Sequence, residues 1–275
     1  MTTSFRIGII QMTSGIDPAA NAETLVGGIG ELAADGARII FTPEMSGLLD
    51  KQRERLLAVA CNEDDDIVLA AVKEAAKAHN IWVQLGSLAV RVDRGDKLAN
   101  RSVLIDDEGE VVARYDKIHL FDVDLGGGER YGESKAFIGG DRAVVHETPV
   151  GKLGLSICYD IRFPRLYDAL TQAGAELLSI PAAFTRPTGK AHWHLLARAR
   201  AVETTSFVVA AAQTGEHEDG RATYGHSLVV DPWGEVLLDM GETAGVATCD
   251  IDLAVRDKVH ARLPVRDHRT HIISI

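Results

Sequence analysis

The chain has 275 residues, of which 46% are hydrophobic and 25% charged, which is the profile of a globular protein with a sizeable core. Its formal net charge of −11 argues against general binding to nucleic acid or to anionic membranes. The N-terminus lacks the pattern of a secretory signal, and no apolar run has membrane-spanning length, so we expect a cytoplasmic protein. Cys61, Cys158 and Cys249 are few and far apart, and we expect free thiols.

The first elements in chain order alternate between strand and helix. An apolar stretch predicts a strand over residues 5–12, and Asp17 is expected to cap a helix that ends near residue 35. Residues 37–41 predict a second strand, which stops at Pro43 because proline cannot donate to a sheet ladder. This strand–helix–strand start predicts neighbouring parallel strands.

The rest of the chain continues the alternation, without a low-complexity tract or linker. It predicts a single α/β domain over residues 1–275, and the similar starts of its two halves hint at two packed sheets. Further helices are predicted at 51–60, 67–79, 190–204 and 253–262, and another helix, capped by Asp160, is predicted after Cys158. A long loop is predicted at 116–138. Further strands are predicted at 81–90, 98–105, 111–115, 144–148, 152–157, 175–180, 207–212, 227–230, 235–238 and 245–251.

Cys158 lies between a predicted buried strand and a predicted helix start. The free N–H groups of a helix start favour a nearby anion, so this position predicts a thiol with a lowered pKa that can act as a nucleophile. A buried and inert cysteine is the competing interpretation. Two other ionisable residues, Glu44 and Lys117, also follow predicted strands. Because ligand crevices of α/β sheets lie at strand carboxyl ends, these side chains are candidates to converge as base, cation and nucleophile.

Three segments around these residues resemble the signature segments of the nitrilase superfamily, the carbon–nitrogen hydrolases. They are FTPEM at 41–45, YDKIHLFD at 115–122 and ICYDIRFP at 157–164, in the order that the family shows. The resemblance implies a four-layer α-β-β-α sandwich, a homodimer or larger homo-oligomer, and a Glu-Lys-Cys triad formed by Glu44, Lys117 and Cys158. It also implies a fourth polar residue, which matches Glu133, with Glu129 as the nearby competitor.

Further segments resemble the branch of the family that contains deaminated glutathione amidase and ω-amidase. These segments are residues 191–203 and 224–234, and the loop 215–224 is closer to the deaminated glutathione amidases. His194 stands where many relatives carry glutamate. In this branch Arg162 and Phe184 match substrate-contacting positions with Thr188 nearby, and the backbone of Tyr159 is expected to hold an oxyanion.

The resemblance implies an amidase that opens a linear amide of a small carboxylate-bearing molecule through a cysteine thioester. Deaminated glutathione is the expected substrate; α-ketoglutaramate, an N-carbamoyl amino acid and a nitrile are alternatives, as is an inactive binding subunit of the same fold. No cofactor and no metal are expected, since the spacing of His192 and His194 places them on different helix faces. The glycines at 126–128 lack the context of a phosphate loop and are interpreted as a flexible segment at the site mouth.

Overall fold

The computed structural model describes residues 4–93, 95–126 and 129–270, so that two of the three glycines at 126–128 lie outside the described residues. The helices are α1 Pro18–Ala34, α2 Arg53–Val59, α3 Ile67–His79, α4 Pro164–Gln172, α5 Arg186–Thr204 and α6 Ala254–Arg262. The strands are β1 Ser4–Gln11, β2 Ile39–Phe41, β3 Trp82–Arg91, β4 Leu98–Ile105, β5 Val111–Asp116, β6 Asp122–Asp124, β7 Arg130–Gly132, β8 Val144–Thr148, β9 Gly151–Leu155, β10 Leu177–Ser179, β11 Phe207–Ala210, β12 Thr214–Glu216, β13 Ala222–Tyr224, β14 Leu228–Val230, β15 Val236–Asp239 and β16 Gly245–Asp252.

Two six-stranded sheets form the centre of the molecule. The first has the strand order β16-β1-β2-β3-β4-β5 and the second the order β15-β14-β11-β10-β9-β8. The predicted parallel pairing of β1 with β2 is confirmed, and β9, β10 and β11 form a parallel group in the second sheet. The last strand, β16, returns to pair with β1 antiparallel along its whole length.

The alternation of side chains along β1 shows how the layers form. Ile7 and Ile9 point into the core between the sheets, whereas Ile10 points to the opposite face, where α1 and α3 cover the first sheet. Gly8 lies on that helix side, and an added Cβ would come within 3.1 Å of Leu32 of α1, so glycine allows the close approach. Helices α4 and α5 cover the second sheet in the same way. The four-layer α-β-β-α sandwich is therefore confirmed.

Several predicted boundaries are wrong. Helix α5 begins at Arg186, four residues earlier than expected, because Thr185 caps it and Pro187 is tolerated in the first turn. Asp160 is not the N-cap of α4, which begins at Pro164. The long predicted loop contains the hairpin β6–β7, and the hairpin β12–β13 was not predicted at all. Across the described ranges, no helix combines the length and apolar character needed to cross a bilayer.

Candidate active site

Three polar side chains reach one cavity from the ends of three strands. Glu44 follows β2, Lys117 directly follows β5, and Cys158 follows β9. All three line the same cavity of about 360 Å³, a volume typical of small-molecule sites. The structure thus brings the three predicted residues together, although they are far apart in the chain.

Cys158 lies in a strained turn rather than at the start of a long helix. Its φ angle is +47°, which is uncommon for a residue with a side chain, and its N–H donates to the carbonyl of Pro181 at 2.8 Å. The turn over Cys158–Arg162 is a single 3₁₀ turn. Such strain persists only where the surroundings hold it in place, and it is common at functional sites.

Asp160 supplies much of this support. Its fully buried carboxylate accepts hydrogen bonds from the Ile157 N–H at 2.8 Å, from the Tyr115 hydroxyl at 2.7 Å and from the His119 N–H at 3.0 Å. Ile157 belongs to the second-sheet side of the cavity, whereas Tyr115 and His119 flank the strand end that carries Lys117. Asp160 therefore joins the nucleophile turn to the lysine segment, a role that replaces its predicted helix-capping role.

Lys117 is buried between two carboxylates. Its Nζ lies 2.8 Å from Oε1 of Glu44 and 2.9 Å from Oε2 of Glu133. Glu133 also accepts the N–H of Phe121 at 2.6 Å, which fixes the carboxylate at the end of the β6–β7 hairpin. Glu129, the competing candidate, lies exposed within that hairpin. The geometry thus brings Glu133 to the lysine.

Asn100 of β4 is a site residue that sequence reasoning missed. Its Nδ2 donates to Oε1 of Glu44 at 2.9 Å and to Oε1 of Glu133 at 3.0 Å, so one amide group links both carboxylates. The Asn100 side chain is almost fully buried. A polar residue inside a buried strand was the available signal, because buried polar groups require partners.

Burial and charge set the protonation states. Burial raises the pKa of Glu44, but the charge and hydrogen bond of Lys117, with hydrogen bonds from Cys158 and Asn100, outweigh it and leave the pKa below its usual value. Burial lowers the pKa of Lys117, but the charges of Glu133 and Glu44 raise it well above its usual value. Burial and the charge of Glu44 raise the pKa of Cys158, against the lowering effect of Lys117. The expected low thiol pKa is therefore wrong: the resting site holds a carboxylate, an ammonium and a neutral thiol.

These directions predict an acid limit of activity. If Glu44 must be ionised to accept a proton, activity is lost as the pH falls through its lowered pKa, so the acid limb of kcat/KM should have its midpoint below the ordinary value of 4.5. Initial rates measured across pH, with enzyme stability checked at each point, give the midpoint. Asn100→Leu removes a hydrogen bond that lowers this pKa, so its midpoint should move upward. An acid limb whose midpoint lies above pH 4.5 in the wild type and does not move in Asn100→Leu would contradict the assignment of Glu44 as the base.

The four predicted substrate-contacting residues also line the cavity. The Arg162 guanidinium lies 5.9 Å from the ring centre of Tyr159 and 5.5 Å from that of Phe184, which holds it at the cavity wall. The Thr188 hydroxyl is 2.8 Å from that of Thr185 at the start of α5, so it is engaged in the helix cap. Phe184 packs against the buried Trp193 with ring centres 4.7 Å apart.

The cavity is basic although the chain is acidic. Three carboxylates line it, those of Glu44, Asp50 and Glu133, and two of these are held by Lys117. The cationic lining side chains are more numerous and were mostly not predicted; they are Lys51, Arg53, Lys117, Arg130, Lys135, Arg162 and Arg221. An anionic ligand is therefore favoured here.

Comparison with known proteins shows the family to which the chain belongs. Residues 6–261 match the carbon–nitrogen hydrolase family model, and the chain belongs to that family. It resembles the deaminated glutathione amidase of Dictyostelium discoideum, with 39% identity over 96% of this chain and 93% of the relative. It also resembles the deaminated glutathione amidase of Yersinia enterocolitica, with 36% identity over 98% of this chain and 94% of the relative.

Solved structures show the same architecture. The NitFhit protein of C. elegans superimposes with a TM-score of 0.90 and 38% identity, covering 98% of this chain and 65% of the longer NitFhit chain. Nit3 of Saccharomyces cerevisiae, a member of branch 10 of the nitrilase superfamily, superimposes with a TM-score of 0.85 and 25% identity over 95% of this chain and 94% of that chain. The recognised family and fold are thereby confirmed.

Proposed function

We propose that the protein is a thiol amidase that hydrolyses deaminated glutathione, with Cys158 as nucleophile, Glu44 as general base and acid, and Lys117 as oxyanion donor. The observation that carries the proposal is that the buried Glu44, 2.8 Å from Nζ of Lys117, lines the same cavity as the buried Cys158. This supports a mechanism in which a base, a cation and a nucleophile act on one bound carbonyl group.

The first half of the reaction forms a thioester. Glu44 removes the thiol proton as Sγ of Cys158 attacks the amide carbon, so that a C–S bond forms and the carbonyl electron pair moves to oxygen. The Lys117 ammonium and the Tyr159 N–H hold this oxyanion. The C–N bond then breaks, and Glu44 gives its proton to the departing amine. Such oxyanion donors contribute about 100- to 1,000-fold each in kcat.

The second half regenerates the enzyme. Glu44 takes a proton from water as the water oxygen attacks the thioester carbon. The C–S bond breaks, the carboxylic acid leaves, and the thiol regains the proton from Glu44. Glu133 positions Lys117 throughout: Nζ lies 2.8 Å from Oε1 of Glu44 and 3.0 and 2.9 Å from the two Glu133 oxygens. An ammonium has three N–H donors, so one of these contacts gives way when Lys117 donates to the oxyanion.

The basic cavity supports a substrate with more than one carboxylate. Deaminated glutathione is a tripeptide analogue with a carboxylate at each end, and its hydrolysis at the former γ-amide gives 2-oxoglutarate and cysteinylglycine. Arg162, Lys51 and Arg221 line the cavity together with Cys158, and Arg221 also pairs with Asp219 at 2.7 Å. The named relatives support the same substrate.

A substrate panel tests this assignment. We expect kcat/KM for deaminated glutathione to exceed the values for α-ketoglutaramate, an N-carbamoyl amino acid and a simple nitrile by at least about tenfold, since only the first fills the cavity with two carboxylates. Release of cysteinylglycine, ammonia or carboxylate is followed by chromatography. Preferred turnover of another compound would contradict deaminated glutathione as the substrate. Turnover of none of the four compounds would contradict the proposed amidase activity.

Arg162 is the proposed partner of a substrate carboxylate. Arg162→Met should lower kcat/KM about 10- to 100-fold, mainly through KM, because a charge-assisted hydrogen bond of about 1.5–3 kcal/mol is lost. Arg165→Met is the matched control, since Arg165 lies exposed in the first turn of α4 and outside the cavity lining. An equal effect of the two substitutions would remove Arg162 from the binding site.

A further inference from the structure

A cluster of two histidines and one aspartate lies outside the cavity. His194 is on α5, His226 directly precedes the segment that carries β14, and Asp239 ends β15. The ligand atoms of the three residues lie within 4.8 Å of one another. The expectation of no metal considered His194 with its helix neighbour His192, whereas the fold brings His194 to residues more than thirty positions away.

The distances from the two histidines to Asp239 are close to those between the ligands of one metal ion. Nε2 of His194 lies 3.0 Å from Oδ2 of Asp239, and Nδ1 of His226 lies 2.9 Å from Oδ1 of the same carboxylate. Ligand atoms that surround Zn²⁺ tetrahedrally at about 2.0–2.1 Å are separated by about 3.3 Å. Small side-chain shifts would therefore place the three donor atoms around one ion.

The fold fixes the position of the His226 ring. The backbone at His226 has a φ angle of +55°, and its N–H donates to Gly241 while its carbonyl accepts the indole N–H of Trp193 at 2.7 Å. Its ring stacks on Tyr224 with centres 4.4 Å apart. A ligand that is held in place before binding loses little conformational entropy when the metal arrives.

The exposure of the cluster also suits a cation. The three side chains are 20–35% exposed, which leaves a path from solvent and room for a water ligand.

We propose that His194, His226 and Asp239 form a binding site for a divalent transition metal ion of the zinc class. Imidazole nitrogen with one carboxylate oxygen is a preferred donor set for such ions. The bound ion would clamp α5 to the β14–β15 hairpin. Because Tyr224 donates its N–H to Phe184 of the cavity wall, the clamp lies directly behind that wall.

Zinc titration of the tag-free full chain tests the proposal. All proteins carry Cys158→Ala, so that the cavity thiol cannot capture the metal, and are freed of metal with a chelator. Calorimetry at pH 7.5 should show one Zn²⁺ per chain, and Asp239→Asn and His194→Gln should each weaken binding at least about tenfold. His192→Gln is the matched control, on the same helix but outside the cluster, and should stay within about twofold.

Two further readouts distinguish this site from other binding. Co²⁺ should give the spectrum of a nitrogen- and oxygen-ligated ion without a thiolate charge-transfer band, which excludes Cys61 and Cys249 as ligands. Zn²⁺ at a hundredfold excess over the parent Kd should raise Tm by about 5 °C in the parent chain, and the same concentration should raise it by at most about half as much in Asp239→Asn. Absence of stoichiometric binding, binding that survives Asp239→Asn unchanged, or a thiolate band would each overturn the proposal, leaving a hydrogen-bonded His–Asp–His bridge.

Discussion

Alanine in place of Cys158 is expected to reduce amide hydrolysis by more than about 10⁴-fold while the fold persists. The substitution removes the only atom that can form the thioester, and no neighbouring group of the proposed mechanism can replace it. The side chain lost is small, and the turn remains held through Asp160, so the free energy of unfolding should change by less than about 2 kcal/mol. Steady-state rates and chemical denaturation measure the two effects.

Mass spectrometry separates the thioester mechanism from direct attack by water. Wild-type protein quenched in acid during turnover should carry the mass of the acyl group, and Cys158→Ala should not. Cys61→Ala is the control, because Cys61 is a half-buried thiol outside the cavity. Adduct formation or full activity in Cys158→Ala would refute the role of Cys158 as the nucleophile. A loss of activity in Cys61→Ala but not in Cys158→Ala would refute it as well.

Lys117→Met is expected to damage both activity and stability. It removes one oxyanion donor, for a loss of at least about 100- to 1,000-fold in kcat, and it leaves the buried carboxylates of Glu44 and Glu133 without their cation. Removing one partner of a buried ion pair costs about 3–5 kcal/mol, because the remaining charge is uncompensated. Rates and urea denaturation at several pH values give both quantities.

The pH dependence of this destabilisation identifies its cause. In Lys117→Met the buried Glu44 carboxylate lacks its cation and should bind a proton more readily than in the unfolded chain, so the stability deficit relative to wild type should shrink as the pH falls from 8 to about 5. Lys152→Met is the control: it removes the Nζ of an exposed pair with Glu147, at 3.2 Å, and should cost less than about 1 kcal/mol at every pH. A deficit independent of pH would mean that lost packing, rather than unpaired charge, destabilises the variant.

The sequence predicted the parts of the molecule that depend on local pattern. Period-two and helical patterns predicted most strands and helices, and strand ends marked Glu44, Lys117 and Cys158 as candidates. The pairing of the last strand with the first, and the hairpins β6–β7 and β12–β13, depend on contacts between distant or short segments, for which a local pattern carries little signal.

The electrostatics of the site could not be predicted from the sequence. A cysteine at a helix start predicted a lowered thiol pKa, but the structure places that thiol in a buried cavity next to the Glu44 carboxylate, and both effects raise it. The link that Asn100 forms between two carboxylates and the basic character of the cavity are likewise products of tertiary contacts. The surroundings of His194 could not be predicted from the sequence either, because its partner Asp239 lies on a hairpin far along the chain.

The return of β16 to pair with β1 has a consequence for the order in which the chain folds. The first sheet carries Glu44, Asn100 and Lys117, but its edge beside β1 is completed only by β16, which is far along the chain from β1. Non-local pairing of this kind forms slowly, because a long loop must close first. We therefore expect the Cys158 thiol of the second-sheet side to meet Glu44 and Lys117 only late in folding, when the two sheets pack against each other.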